Sequence, residues 1–331
     1  MGQNDGVSPR KCCQYVQING DNCALECSGD EYCQWHDPKG LQGSPDIANS
    51  LMENLKAGNK EGNSGQGYVL KNCDLRNIDL VNRGHQTGYD LSYSDCYHAN
   101  FKSAHLFKVN FKHASLMKAD LRHANLHEVN LDQCNLLGAN FEGAKIENVN
   151  WGDELLQEKQ ARENPDRALD YFQQVVEICR GIRKEAENQG LFETAGYFFH
   201  KEMVYRRYQI PKYTFSRLVS KTVDVFCGYG EKPMRVVLFS VFFILLCAIG
   251  FSFVGVSYNG ENFQISMDQS IKENIKVFFG GIYFSVVTFT TLGYGDITPI
   301  GMVRSLAAFE AFIGSFTSAL FVVVFVKKMT R

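Results

Sequence analysis

The sequence predicts a multidomain membrane protein, in which a square-sectioned solenoid and a helical hairpin precede an α-helical membrane domain of two spans. Three observations carry this prediction. An apolar pattern with a period of five runs unbroken from Leu91 to Trp151. Two later segments are long and nearly free of charge. Between pattern and spans, apolar residues recur at three- and four-residue steps.

The spans come first because they set the class. No charged residue falls between Val236 and Gly260, and Glu310 is the only one between Ser305 and Val326. Each run is long enough to cross ~30 Å of hydrocarbon as a helix. The average composition, 45% hydrophobic and 21% charged, hides this because the rest of the chain is polar. These runs argue against a purely soluble enzyme and against a fully disordered chain. The formal net charge of −2 argues against a nucleic-acid partner. The partner implied is a lipid bilayer. Met1 to Arg10 is polar and lacks the apolar run of a signal peptide. Residue 6 is Gly, where a myristoylation signal needs Ser or Thr. Seven basic residues between Arg206 and Arg235 face only Asp224 and Glu231, and Lys327, Lys328 and Arg331 follow the second span. The segment between the spans has a slight acidic excess. The positive-inside rule then places both termini in the cytoplasm of a cell whose plasma or inner membrane holds the protein.

The repeat has neither the helix nor the strand period. Every fifth residue from Leu91 is large and apolar or Cys, ending at Phe141, Ile146 and Trp151. Two places before each centre, the eleven residues from Ala99 to Val149 are all Ala, Val or Cys. Both sets can point inward only where each five-residue side turns a corner. An earlier copy, centred on Leu70, Leu75 and Leu80, is offset by one residue across Arg83 to Gly88. This resembles the pentapeptide-repeat family, with its A-(D/N)-L-x-x pattern. Ala119-Asp120-Leu121 and Ala124-Asn125-Leu126 match it directly. The resemblance implies a right-handed quadrilateral β-helix of four repeats per coil, coils ~4.8 Å apart. Such solenoids serve as scaffolds or binding surfaces for a cytosolic protein or ligand. Six Lys/Arg balance six Asp/Glu from Leu91 to Trp151, which argues against DNA mimicry. His98, His105, His113, His123 and His127 occupy outward positions and read as solvated.

The expected segments are a Cys/His module (1–40), a linker (41–67) with a short helix near Ile47 to Lys56, the solenoid (68–152), a helical hairpin (153–211), an amphipathic interfacial helix (212–232) and the membrane domain (233–331). Asn164-Pro165-Asp166 reads as a helix start with Asn as N-cap. Leu169, Phe172, Val176, Cys179, Ile182 and Ala186 share a face, Gly190 is a stop, and a second helix runs from Phe192 to Gln209 before Pro211. Phe215, Leu218, Val219, Val223 and Phe226 give the next helix an apolar face suited to a membrane surface.

Between the spans lies a third apolar stretch, Val277 to Leu292, shorter than a span. It ends Thr288-Phe289-Thr290-Thr291-Leu292-Gly293-Tyr294-Gly295-Asp296. This resembles the potassium-channel selectivity signature T-x-x-T-V-G-Y-G-D, with Leu292 in the Val place. The resemblance implies an outer helix (234–257), a pore helix (277–290), a filter (291–296) and an inner helix (303–327). It assigns K⁺ coordination to Thr291, Leu292, Gly293 and Tyr294, with Gly295 completing the filter, and needs four chains in a homotetramer. Tyr283 is placed to hydrogen-bond Asp296, and Thr288 to pair with the Tyr294 hydroxyl. Gly314 matches an inner-helix hinge, with Ser318, Val322 and Val326 facing cavity and inner mouth. Arg304 or a neighbour's pore helix is the expected partner of Glu310. Phe198 to Met203 and Gly228 to Arg235 resemble segments found before the pore in bacterial two-span potassium channels that carry pentapeptide repeats.

No arginine array marks a voltage sensor, and four residues (328–331) follow the inner helix, so gating is expected from the N-terminal cytoplasmic domains. Five of eleven cysteines crowd into Cys12 to Cys33. Cys13, Cys23, Cys33 and His36 suit tetrahedral zinc, with Cys12 and Cys27 as substitutes. No catalytic constellation is evident. The function implied is passive, K⁺-selective conduction. A membrane-anchored scaffold with a silent or non-selective cation pore is the alternative, against which the intact Gly-Tyr-Gly-Asp speaks.

Overall fold

The computed structural model describes residues 13–18, 20, 22, 23, 25, 27, 31–39, 46–61, 65–258, 261–266 and 268–329. Cys12 and the residues weighed for lipidation lie outside these. The chain divides between Pro211 and Lys212 into two compact units.

In the first unit, short bridges pair in parallel with the segment twenty residues on: Asp90 with Asn110, Asp95 with Ser115, and so to Asn130 with Asn150. Four five-residue sides thus complete one turn. The first coil is six residues longer, since Val69 pairs with Asp95 and Asp79 with His105. Asn82 closes this insertion by donating to the Thr87 carbonyl at 2.9 Å. The apolar centres from Leu91 to Ile146 are all buried, as are the small residues except Ala139 and Val149. Each corner has a chemical cause. The Asp or Asn before a centre accepts from the backbone amide two residues on, as Asp120 does from Arg122 and Asn130 from Asp132, both at 3.1 Å. One face adds a side-chain column: Asn150 donates to Asn130, Asn130 to Asn110 and Asn110 to Asp90 at 3.0, 3.0 and 2.8 Å. His113 and His127 pack against Tyr93 and Phe107 one coil earlier, so two of the five histidines are half-buried rather than free in solvent.

Both ends of the solenoid are covered, which removes the edges that would otherwise template aggregation. At the first end the segment read as a linker is largely helix: α1 spans Ile47–Glu61. Its Ile47, Leu51 and Leu55 are spaced by four, and they are buried in the solenoid's core. At the other end lie α2 (Leu156–Glu163), α3 (Ala168–Asn188) and α4 (Phe192–Gln209). Gln189 accepts from the Ile146 amide at 3.2 Å and donates to the Ala144 carbonyl, and Trp151 meets Phe198 edge to face. Asn164 is not an N-cap through its side chain. It donates to the Gln160 carbonyl, and a 3₁₀ turn over Pro165–Arg167 leads into α3. α3 and α4 run antiparallel, with Phe172 beside Tyr205 and Arg183 beside Glu202. Glu202 is buried and is surrounded by Arg180, Arg183 and Arg206 at 3.3, 3.0 and 2.6 Å. A buried charge needs that pairing.

In the second unit, α5 (Phe215–Cys227) ends at left-handed Gly228, and a 3₁₀ turn over Gly228–Gly230 leads to α6 (Pro233–Val254). α6 stops at Gly255, short of the expected end at 257, because Val256–Tyr258 is a strand, β1. β1 lies between β2 (Glu261–Phe263) and β3 (Ile297–Pro299), antiparallel to both. α7 covers Ile271–Phe289, starting six residues before the expected pore helix because Ser270 and Glu273 form a capping box. α8 is Val303–Met329. Pro233–Val254 and Val303–Lys328 are long and apolar enough to cross a membrane.

Candidate functional site

The Thr291–Asp296 segment is held at both ends. On one side the chain leaves α7 in a tight turn, with Thr291 N–H donating to Thr288 O and Leu292 N–H to Val287 O, each at 3.0 Å. On the other, β3 is pinned to β1. Between these anchors Thr291, Gly293 and Gly295 have φ of 58°, 60° and 82°. Gly293 and Gly295 take these angles without a Cβ. Thr291 takes one with a β-branched side chain and is strained, which is common at functional sites. Leu292 and Tyr294 are exposed on this single chain. Among the described residues, no carbonyl from Thr291 to Gly295 accepts a hydrogen bond. Backbone carbonyls at membrane depth require a partner, and a row of them suits a desolvated cation.

The supporting residues fall as follows. The Tyr283 and Asp296 side chains lie near one another, as expected. No hydrogen bond joins Thr288 to the Tyr294 hydroxyl among the described residues. The Tyr294 ring projects away from its own chain, 67% exposed. A Cβ on Gly314 would collide with the Phe289 carbonyl oxygen, so this glycine lets α8 lie directly on the end of α7. Ser318, Val322 and Val326 follow at four-residue steps and are exposed. Arg304 does not reach Glu310 and donates to the Pro299 carbonyl at 3.2 Å. Glu310 is fully buried and meets Ser285 on its own chain's α7.

Below the spans, the turn between α5 and α6 is tied to the end of α8. Lys327 Nζ lies 2.6 Å from Glu231 Oε1. Cys227, Val236 and Val324 form a buried cluster with Phe226, Leu320 and Phe321. Arg235 binds the Asp224 carboxylate at 3.1 Å, and the Ser220 and Tyr229 hydroxyls are 2.7 Å apart. This direct tie to α8 is not legible in the sequence, because its partners lie 96 residues apart.

The second site is in the first unit. Cys13, Cys23, Cys33 and His36 are buried, and their ligand atoms all lie within 4.8 Å of one another. Cys33 Sγ is 3.2 Å and Cys13 Sγ 3.6 Å from His36 Nδ1, and Cys23 Sγ is 4.0 Å from Cys33 Sγ. A tetrahedron with metal–sulfur bonds of ~2.3 Å has edges of about 3.8 Å, so the set fits a metal ion. His36 Nε2 is 2.9 Å from the Gln66 carbonyl, which fixes the proton there and leaves Nδ1 free to ligate. Cys27 is not among the four. The same module meets the solenoid's first coil, where Val69 N–H donates to the Trp35 carbonyl at 2.8 Å. The scattered cysteines are core residues: burial pushes the Cys73 thiol up to about 11 and raises Cys96 also.

Comparison with known proteins agrees with both halves. Residues 238–331 match a family described as ion channel, and residues 90–122 and 114–150 match pentapeptide repeats. The chain therefore joins a segment that matches pentapeptide repeats to a later segment that matches an ion-channel family. Protein LctB of Bacillus caldotenax is 30% identical over 87 residues, 26% of this chain and 65% of that protein's length. A pentapeptide repeat protein from Nostoc PCC 7120 is 28% identical, covering 32% of this chain and 87% of that one, with a TM-score of 0.25. HetL, a pentapeptide repeat protein involved in heterocyst differentiation regulation in Nostoc sp. strain PCC 7120, is also 28% identical. It covers 26% of this chain and 49% of its own, with a TM-score of 0.17.

Proposed function

We propose that four copies of this chain surround a potassium-selective pore and conduct K⁺ passively across a cell membrane. The observation that carries this reading is the Thr291–Gly295 segment. It lies between two apolar helices long enough to span, alternates left-handed positions, and leaves its carbonyls without hydrogen bonds among the described residues. Four such strands supply rings of oxygens in place of a K⁺ hydration shell. Thr291, Leu292, Gly293 and Tyr294 give the carbonyls, and Asp296 is braced by Tyr283. α7 directs its C-terminal end, the negative end of its dipole, toward the filter. Both termini are cytoplasmic, and the repeat domain is a right-handed quadrilateral β-helix, a reading supported by its twenty-residue pairing. The Cys13, Cys23, Cys33, His36 set holds zinc, which cross-links a module too small for its own core. The cytoplasmic domains gate the pore through α5 and the Glu231–Lys327 tie.

The test is K⁺ flux into liposomes holding the purified protein, with Na⁺ and Ba²⁺ controls. Selective flux that Ba²⁺ blocks is expected. Equal Na⁺ and K⁺ flux from an assembled tetramer overturns the selectivity. No flux under any condition, from a tetramer that stays folded, returns the chain to the membrane-anchored scaffold reading.

A further inference from the structure

Glu310 is a carboxyl in a place that offers no cation. No Lys, Arg or His occurs from Val236 to Val254 in α6, from Val277 to Phe289 in α7, or from Ser305 to Val326 in α8. The groups facing it are the Cys247 thiol from α6 and the Ser285 hydroxyl from α7; α8 itself contributes no other titratable group there. Ser285 Oγ makes two contacts, to the Ile244 carbonyl of α6 at 2.8 Å and to Glu310 Oε1. A hydroxyl has one hydrogen to give, and a carbonyl can only accept. When Ser285 donates to Ile244, the bond to Glu310 needs its hydrogen from Glu310. A carboxylate has none. Glu310 Oε2 is buried without a partner, a costly state for a charged oxygen and a tolerable one for a neutral carbonyl.

We infer that Glu310 is held as the neutral acid and donates to Ser285. One chain of bonds, Glu310 to Ser285 to Ile244, fastens the inner helix to the pore helix and the pore helix to the outer helix. Four residues beyond Ser285 is Phe289, the last residue of α7, whose carbonyl rests on Gly314. Glu310 is thus a positioning residue for the filter, and it touches no ion. This deepens the pore reading proposed above.

The experiment compares wild type, Glu310→Gln, Glu310→Ala and Ser285→Ala as full-length protein in liposomes. Tetramer content is checked for each. Glutamine offers an N–H to Ser285 and keeps a carbonyl acceptor in nearly the same shape, so Glu310→Gln retains flux and K⁺/Na⁺ selectivity. Glu310→Ala and Ser285→Ala each lose flux by about tenfold, as expected for one lost buried hydrogen bond. Infrared spectroscopy of the wild type shows the carbonyl stretch of a protonated carboxylic acid, and Glu310→Gln loses it. A Glu310→Gln tetramer as impaired as Glu310→Ala, or a wild type without that infrared band, overturns the inference. The infrared arm needs no conduction, so failure of the pore reading and failure of this one are separable.

Discussion

In the solenoid a left-handed residue recurs every fifth position from Tyr93 to Asn148, and most are not glycine: Tyr, His, Ser, Lys, Glu and Gln all occur. In the Thr291–Gly295 segment left-handed residues alternate, and two of the three are glycine. The solenoid tolerates Cβ atoms at these positions because each corner's backbone is tied to the next coil, as when Lys118 N–H donates to the Leu137 carbonyl at 2.8 Å. The strain, ~1–2 kcal/mol per residue, is offset within one chain. Among the described residues the Thr291–Gly295 carbonyls have no such neighbour, and Leu292 and Tyr294 are exposed. In the proposed pore, an ion and the other subunits would take those places. Repetition of one backbone state therefore yields a self-sufficient scaffold in one region and an incomplete site in the other.

The sharpest way to break this contrast is to add a Cβ in both places. Gly293→Ala has open space around it on one chain, so its cost is conformational. At ~1–2 kcal/mol per subunit and four subunits, K⁺ flux is expected to fall by more than about 100-fold. The reciprocal change, Lys118→Gly at φ 58°, relieves strain but loosens the unfolded chain. Its effect on melting of the first unit is expected to stay within about 1 kcal/mol. A Gly293→Ala protein that conducts like wild type would show that the filter tolerates side chains as the solenoid does.

Metal removal comes next in size. The module's Trp35 carbonyl receives the Val69 amide, and His36 holds the Gln66 carbonyl, so the four ligands sit directly against the solenoid's first coil. Chelation, or Cys33→Ser, should destabilise the first unit by about 4 kcal/mol if metal normally stands 1,000-fold above its dissociation constant. Hydrogen exchange should quicken first at Val69 and Leu70 and leave the coil near Asn130 protected. An unchanged melting temperature with chelator would mean that the coil closes itself without the module, and would extend the solenoid's self-sufficiency to its first edge.

How much of this was legible depended on the distance over which the cause acts. The five-residue period and the Gly-Tyr-Gly-Asp run are local, so the coil core and the left-handed positions at Gly293 and Gly295 follow from neighbouring residues. The N-cap reading of Asn164 failed because α2, just upstream, claims the Asn side chain through Gln160. The short helix expected near Ile47 to Lys56 within the 41–67 linker forms, but its polar composition does not show that Ile47, Leu51 and Leu55 bury one stripe on a core formed elsewhere. The pore helix was drawn short because its first turn is polar and capped by Ser270 and Glu273. Of the two expected partners of Glu310, Arg304 is near in sequence but donates elsewhere, whereas Ser285, on the chain's own α7 rather than a neighbour's, is near only after α7 and α8 pack. The three short strands carry too few residues to show a period.

The smallest expected effect concerns the tie that does the solenoid's kind of work in the second unit. Lys327 and Glu231 join the two ends of the pore domain, with side chains 34% and 13% exposed. Partly exposed pairs contribute about 0.2–1 kcal/mol each, so Lys327→Glu should change open probability only a few-fold in single-channel recordings. The diagnostic lies in the cycle: Glu231→Lys alone should shift gating in the same direction, and the double swap should restore it. If each single change shifts gating and the double adds the two shifts, the residues act independently, and the buried cluster of Cys227, Val236 and Val324 is what couples α5 to the inner helix. Restoration instead identifies a charge contact that substitutes, in the membrane domain, for the backbone ladder that makes the solenoid stable within one chain.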